Sequence, residues 1–285
     1  MPTVTQVDST VGVQVMSFNI RYGSADDREN SWPRRRELVA HTIHQQAPDI
    51  LGVQEALGFQ IEYLQQQFPG YTWVGRGREK AGDGGEHTPI FYRIARFVLQ
   101  DSGTFWFSHT PDTPGSASYG NSTPRICTWA RLRDIQSGSA LLVYNLHLDH
   151  LSRRSRNASS VQLRRHIDAQ PRNLPAVITG DFNAGEVTWC MRNLTTYRPR
   201  TPTRHFIDTY RAKHPYVMLR CGTINWFTDS RSGPRIDYIL TSPTIQISNA
   251  RIIHTHNGRP PSDHYPVTAR ILLDSSAAML VSESG

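Results

Sequence analysis

Ala176-Val177-Ile178-Thr179-Gly180-Asp181-Phe182-Asn183-Ala184 is the stretch on which the reading of the fold turns. A short apolar, β-branched run halted by Gly reads as a buried strand, so Asp181 and Asn183 emerge at its carboxyl end. Open α/β sheets keep their chemistry at that end. Two positions apart on an extended segment, a carboxylate and an amide point the same way and can face one polar atom. Taken alone, the same residues also fit an Asx turn closing a strand.

Working outward, Val13 to Ile20 reads as a mostly buried strand. Pro33, behind Ser31 and Trp32, opens a helix whose Leu38, Val39, Thr42 and Ile43 recur at helical spacing until Pro48. Ile50 to Gln54 is a short strand running into Glu55, and a second helix covers Phe59 to Phe68. The middle changes character. Tyr71 to Gly75, Ile90 to Tyr92, Arg96 to Phe107, Ile126 to Arg133 and Ala140 to Leu148 read as strands between Gly, Pro and Ser stretches. A helix from Ser155 to Ala169 follows, then strands near Val177, Arg235 to Leu240, Ile245 to His254 and Val267 to Leu272. So many strands with few helices predict two packed sheets with outer helices rather than an eightfold β/α barrel. One domain is expected over residues 12–274, with tails at 1–11 and 275–285. The loop from Ser108 to Pro124 is long enough to be functional or disordered.

The chain has 285 residues and a formal net charge of +7. Lys80 and Lys213 are its only lysines, so nearly all 31 cationic side chains are arginine, the fork-shaped binder of phosphate and carboxylate. The arginines are dispersed. Arg34-Arg35-Arg36, Arg153-Arg154-Ser155-Arg156 and Arg198-Pro199-Arg200 lack the interleaved aromatics of a single-strand stacking platform, and each reads as a solvated face. Cys127, Cys190 and Cys221 suggest neither a disulfide framework nor a thiolate zinc site, and read as buried apolar residues. No run approaches the length of a membrane span. Met1 to Asp8 has no basic or apolar signal segment, so an intracellular address is expected.

Polar residues stand where apolar strands should end: Asn19, Glu55, Asn145, His147, Asp181, Asn183, Asp237, and Asp263 with His264. Carboxylates in such places are costly unless paired or bound to a cation, and their spread over the chain predicts one point of convergence. Oxygen ligands suit Mg²⁺ or Mn²⁺, while the lack of an H-E-x-x-H pair and of Cys ligands disfavours zinc. No phosphate-binding G-x-x-x-x-G-K-[ST] loop, G-x-G-x-x-G turn or G-x-S-x-G elbow is present. What remains is metal-assisted attack of water on phosphorus, with His and Asp handling protons.

Ser17-Phe18-Asn19-Ile20-Arg21, Val53-Gln54-Glu55, Asn145-Leu146-His147-Leu148-Asp149-His150, Gly180-Asp181-Phe182-Asn183-Ala184, Arg235-Ile236-Asp237-Tyr238 and Ser262-Asp263-His264-Tyr265-Pro266 together resemble, in order, the motif series of the endonuclease/exonuclease/phosphatase (DNase I-like) superfamily. The resemblance implies a four-layer α/β sandwich, two facing mixed β-sheets flanked by helices, with the site at one edge. It also implies roles. Glu55, helped by Asn19, would hold a divalent metal, with Asp263 supporting the metal or the water. Asp181 would orient and deprotonate the attacking water, and Asn183 would bind a phosphoryl oxygen. His264, paired with Asp237, would stabilise charge on the phosphoryl group, and His147 would assist the leaving oxygen. Blander readings stay open: Asp237 as partner of Arg235, His147 as a core histidine, Asn145 as the pin of a strand end rather than a substrate ligand. Arg125 resembles a phosphate clamp of one branch, with a salt bridge holding the loop as the alternative, and Glu86 and His87 lie where that branch shapes its pocket.

The implied activity is a divalent-metal-dependent phosphoric-ester hydrolase. A phosphorylated small or medium molecule is the expected substrate, a nucleic acid the alternative, and a repurposed, non-hydrolytic scaffold the third reading. Against a nuclease stand the dispersed arginines and the want of a nucleic-acid module.

Overall fold

A computed structural model describes residues 10–80, 84–121, 123–196, 205–216, 219–254 and 259–274. In chain order the elements are β1 (Thr10–Asn19), α1 (Trp32–Gln46), β2 (Ile50–Gln54), α2 (Gly58–Gln67), β3 (Tyr71–Val74), β4 (Ile90–Arg93), β5 (Phe97–Trp106), β6 (Ile126–Asp134), β7 (Ala140–His147), α3 (Arg153–Asp168), β8 (Ala176–Asp181), α4 (Trp189–Thr195), β9 (Ile207–Asp208), α5 (Thr209–Lys213), β10 (Asp237–Thr241), β11 (Gln246–Ile252) and β12 (Val267–Asp274). Among the described residues, no helix is long and apolar enough to cross a membrane.

Two six-stranded sheets form, ordered β11-β12-β1-β2-β4-β3 and β5-β6-β7-β8-β10-β9. In each, one central pair is parallel, β1 with β2 and β7 with β8, while the other pairings are antiparallel. Alternation along the strands sorts the core into three layers. Val13, Val15, Val143, Val177, Ile239 and Ile271 meet between the sheets. Met16, Phe18, Leu51 and Val53 pack outward on Trp32, Val39, Ile43, Ile61 and Leu64 of α1 and α2. Tyr144, Leu146, Ile178 and Leu240 pack outward on Leu163, Ile167, Cys190 and Leu194 of α3 and α4. The result is the expected four-layer sandwich, and all three cysteines are buried and outside any disulfide.

Both sheets bring their parallel pairs to the same seam, and a glycine permits the close approach. At Gly52 a Cβ would run into Thr179 Oγ1 of the facing sheet. Across this seam Asn145, fully buried, donates to the carbonyls of Val53 at 2.7 Å and Pro89 at 2.9 Å. Its Oδ1 accepts from Gln54 Nε2 at 2.6 Å and Thr179 Oγ1 at 3.0 Å. Every polar valence of that amide is used in fastening the sheets.

Arg35 departs from the sequence reading. Instead of joining a solvated face with Arg34 and Arg36, it is 1% exposed. Its guanidinium donates to the carbonyls of Ile20 at 2.5 Å, Asn30 at 2.8 Å, Arg21 at 2.9 Å and Pro261 at 3.2 Å. It also lies over the Trp32 and Phe227 rings, 5.2 and 5.6 Å from their centroids. The fork thereby ties the chain just after Asn19 to the chain just before Asp263. Helical periodicity reveals which face α1 buries, but not that a cation belongs on it.

Other departures are short elements. β1 begins at Thr10, opposite Asp274, ahead of the expected boundary at residue 12. α4, β9 and α5 were not expected, and the two helices rest on side-chain caps from Thr188 and Asp208 rather than on a long apolar stripe. The Arg198-Pro199-Arg200 cluster, residues 1–9 and residues 275–285 lie outside the described residues. Arg235, read as an alternative partner of Asp237, instead bonds Glu186 at 2.5 Å and Asp208 at 2.7 Å, with Arg211 on the same Glu186 carboxylate.

Two predictions follow from these ties. Arg35→Met, which orphans four carbonyls, lowers unfolding free energy by about 3 kcal/mol or more in urea titration. Hydrogen bonds and charge from Arg211 and Arg235 hold the Glu186 carboxyl down at about 2 from 4.5. A depressed carboxyl adds stability above its ordinary range, and that contribution disappears as pH falls through the folded value. Melting temperatures of Glu186→Gln should therefore match wild type most closely below about pH 2, fall progressively behind as pH rises from about 2 to 4.5, and keep the full deficit above that.

Candidate metal and phosphoryl site

Strand ends at the seam carry the polar residues into one cluster. Asn19, at the end of β1, turns its amide nitrogen to Glu55 Oε1 at 2.9 Å and Asp181 Oδ2 at 3.0 Å, while its oxygen accepts from Arg21 N. Glu55 follows β2 with φ 63°, and its second oxygen accepts from Tyr22 N at 3.0 Å. Asn183, beyond β8, stands at φ 48°, and its backbone N–H caps Asp181 Oδ1 at 2.8 Å. Non-glycine residues in this left-handed region cost of order 1–3 kcal/mol each and gather at functional sites.

Opposite, His264 Nδ1 meets Asp237 Oδ2 at 2.9 Å, and its Nε2 lies 3.9 Å from Asp181 Oδ2. His147 Nε2 lies 3.5 Å from that same oxygen and accepts from Asn183 Nδ2 at 3.0 Å. Accepting there leaves the proton of a neutral His147 on Nδ1, which faces Glu86 at 3.8 Å. Asp263 is held by Ser262 Oγ at 3.1 Å, with Arg21 at 3.8 Å. Thus Asn19, Glu55, His147, Asp181, Asn183, Asp237, Asp263 and His264 converge, whereas Asn145 lies in the sheet seam below them.

The electrostatics differ sharply from residue to residue. Burial, then the neighbouring Asp237 and Glu55 charges, push Asp181 up to about 7. Asp263 is likewise raised by burial and by Glu55. Burial alone would discharge His264, but Asp237, Asp181 and Asp263 together hold its proton well above the ordinary range. His147 is driven the other way by burial and by Arg125 and Arg78, so it is neutral. One imidazolium and one imidazole therefore flank the same carboxylate.

The donor set fits a hard divalent cation. Ligand atoms of Glu55, His147 and Asp181 lie within 4.8 Å of one another, as do those of Asp181, Asp237 and His264. Asp237 Oδ1 is buried without a hydrogen-bond partner. Clustered carboxylates whose charge is disfavoured by burial and mutual repulsion are what an oxygen-seeking dication relieves.

Beside His147 lies a second group of charges. Arg78, absent from the sequence reading, bonds Glu86 at 2.7 Å. Arg125 lies 4.0 Å from the same carboxylate oxygen, 3.8 Å from Asp149 and 2.9 Å from His150 Nδ1. Its Nε, though buried, makes no hydrogen bond. His87 Nδ1 is engaged with Gly85 O at 3.0 Å, and its backbone N–H bonds Ala56 O. Glu86, His87, Arg125 and Arg78 line one small pocket with His147. Nothing in a lone Arg between Gly77 and Glu79 signals this placement; only the hairpin that returns Glu86 against it does.

The Endonuclease/Exonuclease/phosphatase family model matches residues 16–264. The chain belongs to that family. Metal-dependent hydrolysis of a phosphoric ester fits that family and the cluster of acidic and histidine ligands. The chain resembles the mannosyl-6-phosphatase of Bacteroides thetaiotaomicron VPI-5482 at 30% identity and TM-score 0.83, over 92% of this chain and 100% of that one. An endonuclease/exonuclease/phosphatase family protein of Bacteroides thetaiotaomicron superposes with TM-score 0.84 at 29% identity, over 93% and 99% of the two chains. A CCR4-Not complex 3'-5'-exoribonuclease subunit Ccr4 of Aspergillus clavatus is 29% identical over 49% of this chain, a match spanning 25% of that relative's length.

Asp237→Asn should separate orientation from charge. Without the anion the imidazolium of His264 loses its proton at lower pH, so the alkaline fall in kcat moves down the pH scale. At neutral pH kcat drops about 10²–10³-fold, with circular dichroism unchanged.

Proposed function

We propose that the protein is a Mg²⁺- or Mn²⁺-dependent phosphomonoester hydrolase acting on a small, hydroxyl-rich organic phosphate of the sugar-phosphate class. The observation carrying this reading is the group of charged side chains, Arg78, Glu86 and Arg125, with His87, on the flank of His147. Guanidinium forks and a carboxylate, each able to make two parallel hydrogen bonds, suit the vicinal hydroxyls of a compact leaving group. The similarity to a mannosyl-6-phosphatase over the full length of that chain supports it.

In this reading Glu55 and Asp263 would hold the cation, with the Asn19 amide nitrogen orienting the Glu55 and Asp181 carboxylates, and the bound ion would offset charge on the phosphoryl oxygens. Asp181 orients a water and takes its proton as the water oxygen bonds to phosphorus. A carboxyl raised to about 7 is matched to that task near neutral pH. The imidazolium of His264, fixed by Asp237, and the amide of Asn183 stabilise the growing negative charge. His147 stands toward the leaving oxygen; as the P–O bond breaks, that oxygen takes up the proton that Asp181 drew from the water, passed through His147, whose Nε2 lies 3.5 Å from Asp181 Oδ2.

A nuclease reading draws on the Ccr4 similarity and the basic charge. Charge placement weighs against it. Arg35, Arg96, Arg125, Arg164 and Arg235 are buried, spending their charge inside the molecule rather than along a backbone-binding groove.

Phosphate release from a panel of phosphomonoesters, phosphodiesters and labelled RNA tests the choice. Hexose phosphates should turn over with Mg²⁺ or Mn²⁺, EDTA should abolish release, and His264→Ala should reduce it on the order of 10²–10³-fold. RNA cleavage whose affinity falls steeply with salt, with inert hexose phosphates, would favour the nuclease instead.

A further inference from the structure

Beside Asp263 and His264 the chain makes a turn whose corner residues are the wrong ones for it. Trp226 and Phe227 stand at φ 52° and 60°, and Thr228 N closes the turn on Asn225 O at 3.0 Å. Two successive positive φ values are the signature of a type I′ turn, which strongly favours Asn-Gly. Here both corners are bulky aromatics, the residues least suited to the left-handed region.

The turn is nonetheless held firmly against the site. Asn225 N and Trp226 N both donate to Asp263 O, at 2.7 and 3.1 Å, and Ile224 bridges His264. Phe227 N bonds Asn225 Oδ1 at 2.7 Å, and the Phe227 ring lies against the buried Arg35 cation. Phe227 thus has a packing reason to be aromatic. Trp226 has none: it is 59% exposed, one hydrogen bond from a residue of the metal and phosphoryl cluster. Backbone strain retained to hold a large exposed apolar ring on the turn that bonds Asp263 points to use of that ring.

We infer that Trp226 is a specificity-determining platform on which the flat C–H face of the substrate's pyranose ring stacks. The inference rests on the sugar-phosphate reading and deepens it. His264 and His147 both reach Asp181 Oδ2; the loop carrying Trp226 bonds Asp263, next to His264, whereas the Arg78–Glu86 pair stands beside His147. A pyranose lying across the mouth presents its apolar face to the indole and its hydroxyl edge to the charged flank. Indole offers the largest ring at low conformational cost, which suits it to this role.

The test compares wild type, Trp226→Ala and Trp226→Phe. Dissociation constants for hexose 6-phosphate, acyclic glycerol phosphate and adenosine 5′-phosphate are measured by calorimetry alongside turnover. Wild type should bind hexose 6-phosphate more tightly than glycerol phosphate. Trp226→Ala should lose about tenfold of that preference, and Trp226→Phe should keep most of it. Because the strained corner is also relieved, Trp226→Gly should melt higher than wild type while losing the same preference. An unchanged preference in Trp226→Ala or Trp226→Gly, or no preference in wild type, overturns the inference. Tighter binding of adenosine 5′-phosphate than of hexose 6-phosphate overturns the pyranose assignment. A tryptophan-dependent preference without turnover leaves the platform standing and removes only the proposed reaction.

Discussion

Repulsion among buried carboxylates is the constraint around which this molecule is organised. Glu55, Glu86, Asp181, Asp237 and Asp263 are gathered at the ends of strands that otherwise carry apolar side chains. Two such charges about 5 Å apart repel by about 3 kcal/mol at the effective dielectric of a protein interior. The chain answers with countercharges placed one by one: Arg78 and Arg125 on Glu86, Arg21 near Asp263, His264 on Asp237. Among the described residues neither Glu55 nor Asp181 has an arginine in ion-pair contact, and of the two it is Asp181, between His147 and His264, whose carboxyl is pushed up to about 7. The protein thus leaves one carboxylate poised to accept a proton, beside ligands that call for a divalent cation.

The architecture makes that concentration affordable. Each sheet places its parallel pair at the seam, so β1, β2, β7 and β8 deliver Asn19, Glu55, His147 and Asp181 to one edge. Gly52 lets the sheets approach, and Asn145 fastens them. Arg35 does the same for the loops, binding carbonyls on both sides of the site without a carboxylate partner. Asn145 and Arg35, the polar residues that fasten the scaffold beside the chemistry, are extensively hydrogen-bonded, which fixes a single geometry where an apolar core would tolerate several.

Ala176–Asp181 was legible because burial on both faces leaves a continuous apolar trace, and Ile126–Asp134 because its second half alternates buried with more exposed side chains. The short α4 and α5 were not, because caps and tertiary contacts rather than periodicity hold them. That Asn19, Glu55, His147, Asp181, Asn183, Asp237, Asp263 and His264 would converge was legible because a carboxylate closing an apolar strand has no cheap structural explanation. Arg78, Arg35 and Trp226 were not, for three different reasons. Arg78 gains meaning only when a hairpin brings Glu86 back to it. Arg35 sits in a run of arginines that looks solvated. Trp226 is informative through its backbone angle, which no residue letter displays.

The most direct test of the central claim is the melting temperature as a function of Mg²⁺ concentration, for wild type and for Glu55→Gln. A ligand bound only by the folded state raises stability in proportion to the logarithm of its concentration once above its dissociation constant. If buried carboxylate repulsion is what a divalent cation relieves, the wild-type melting temperature climbs with Mg²⁺ and the Glu55→Gln curve stays flat. A wild type indifferent to Mg²⁺, or a variant that responds equally, would contradict the account.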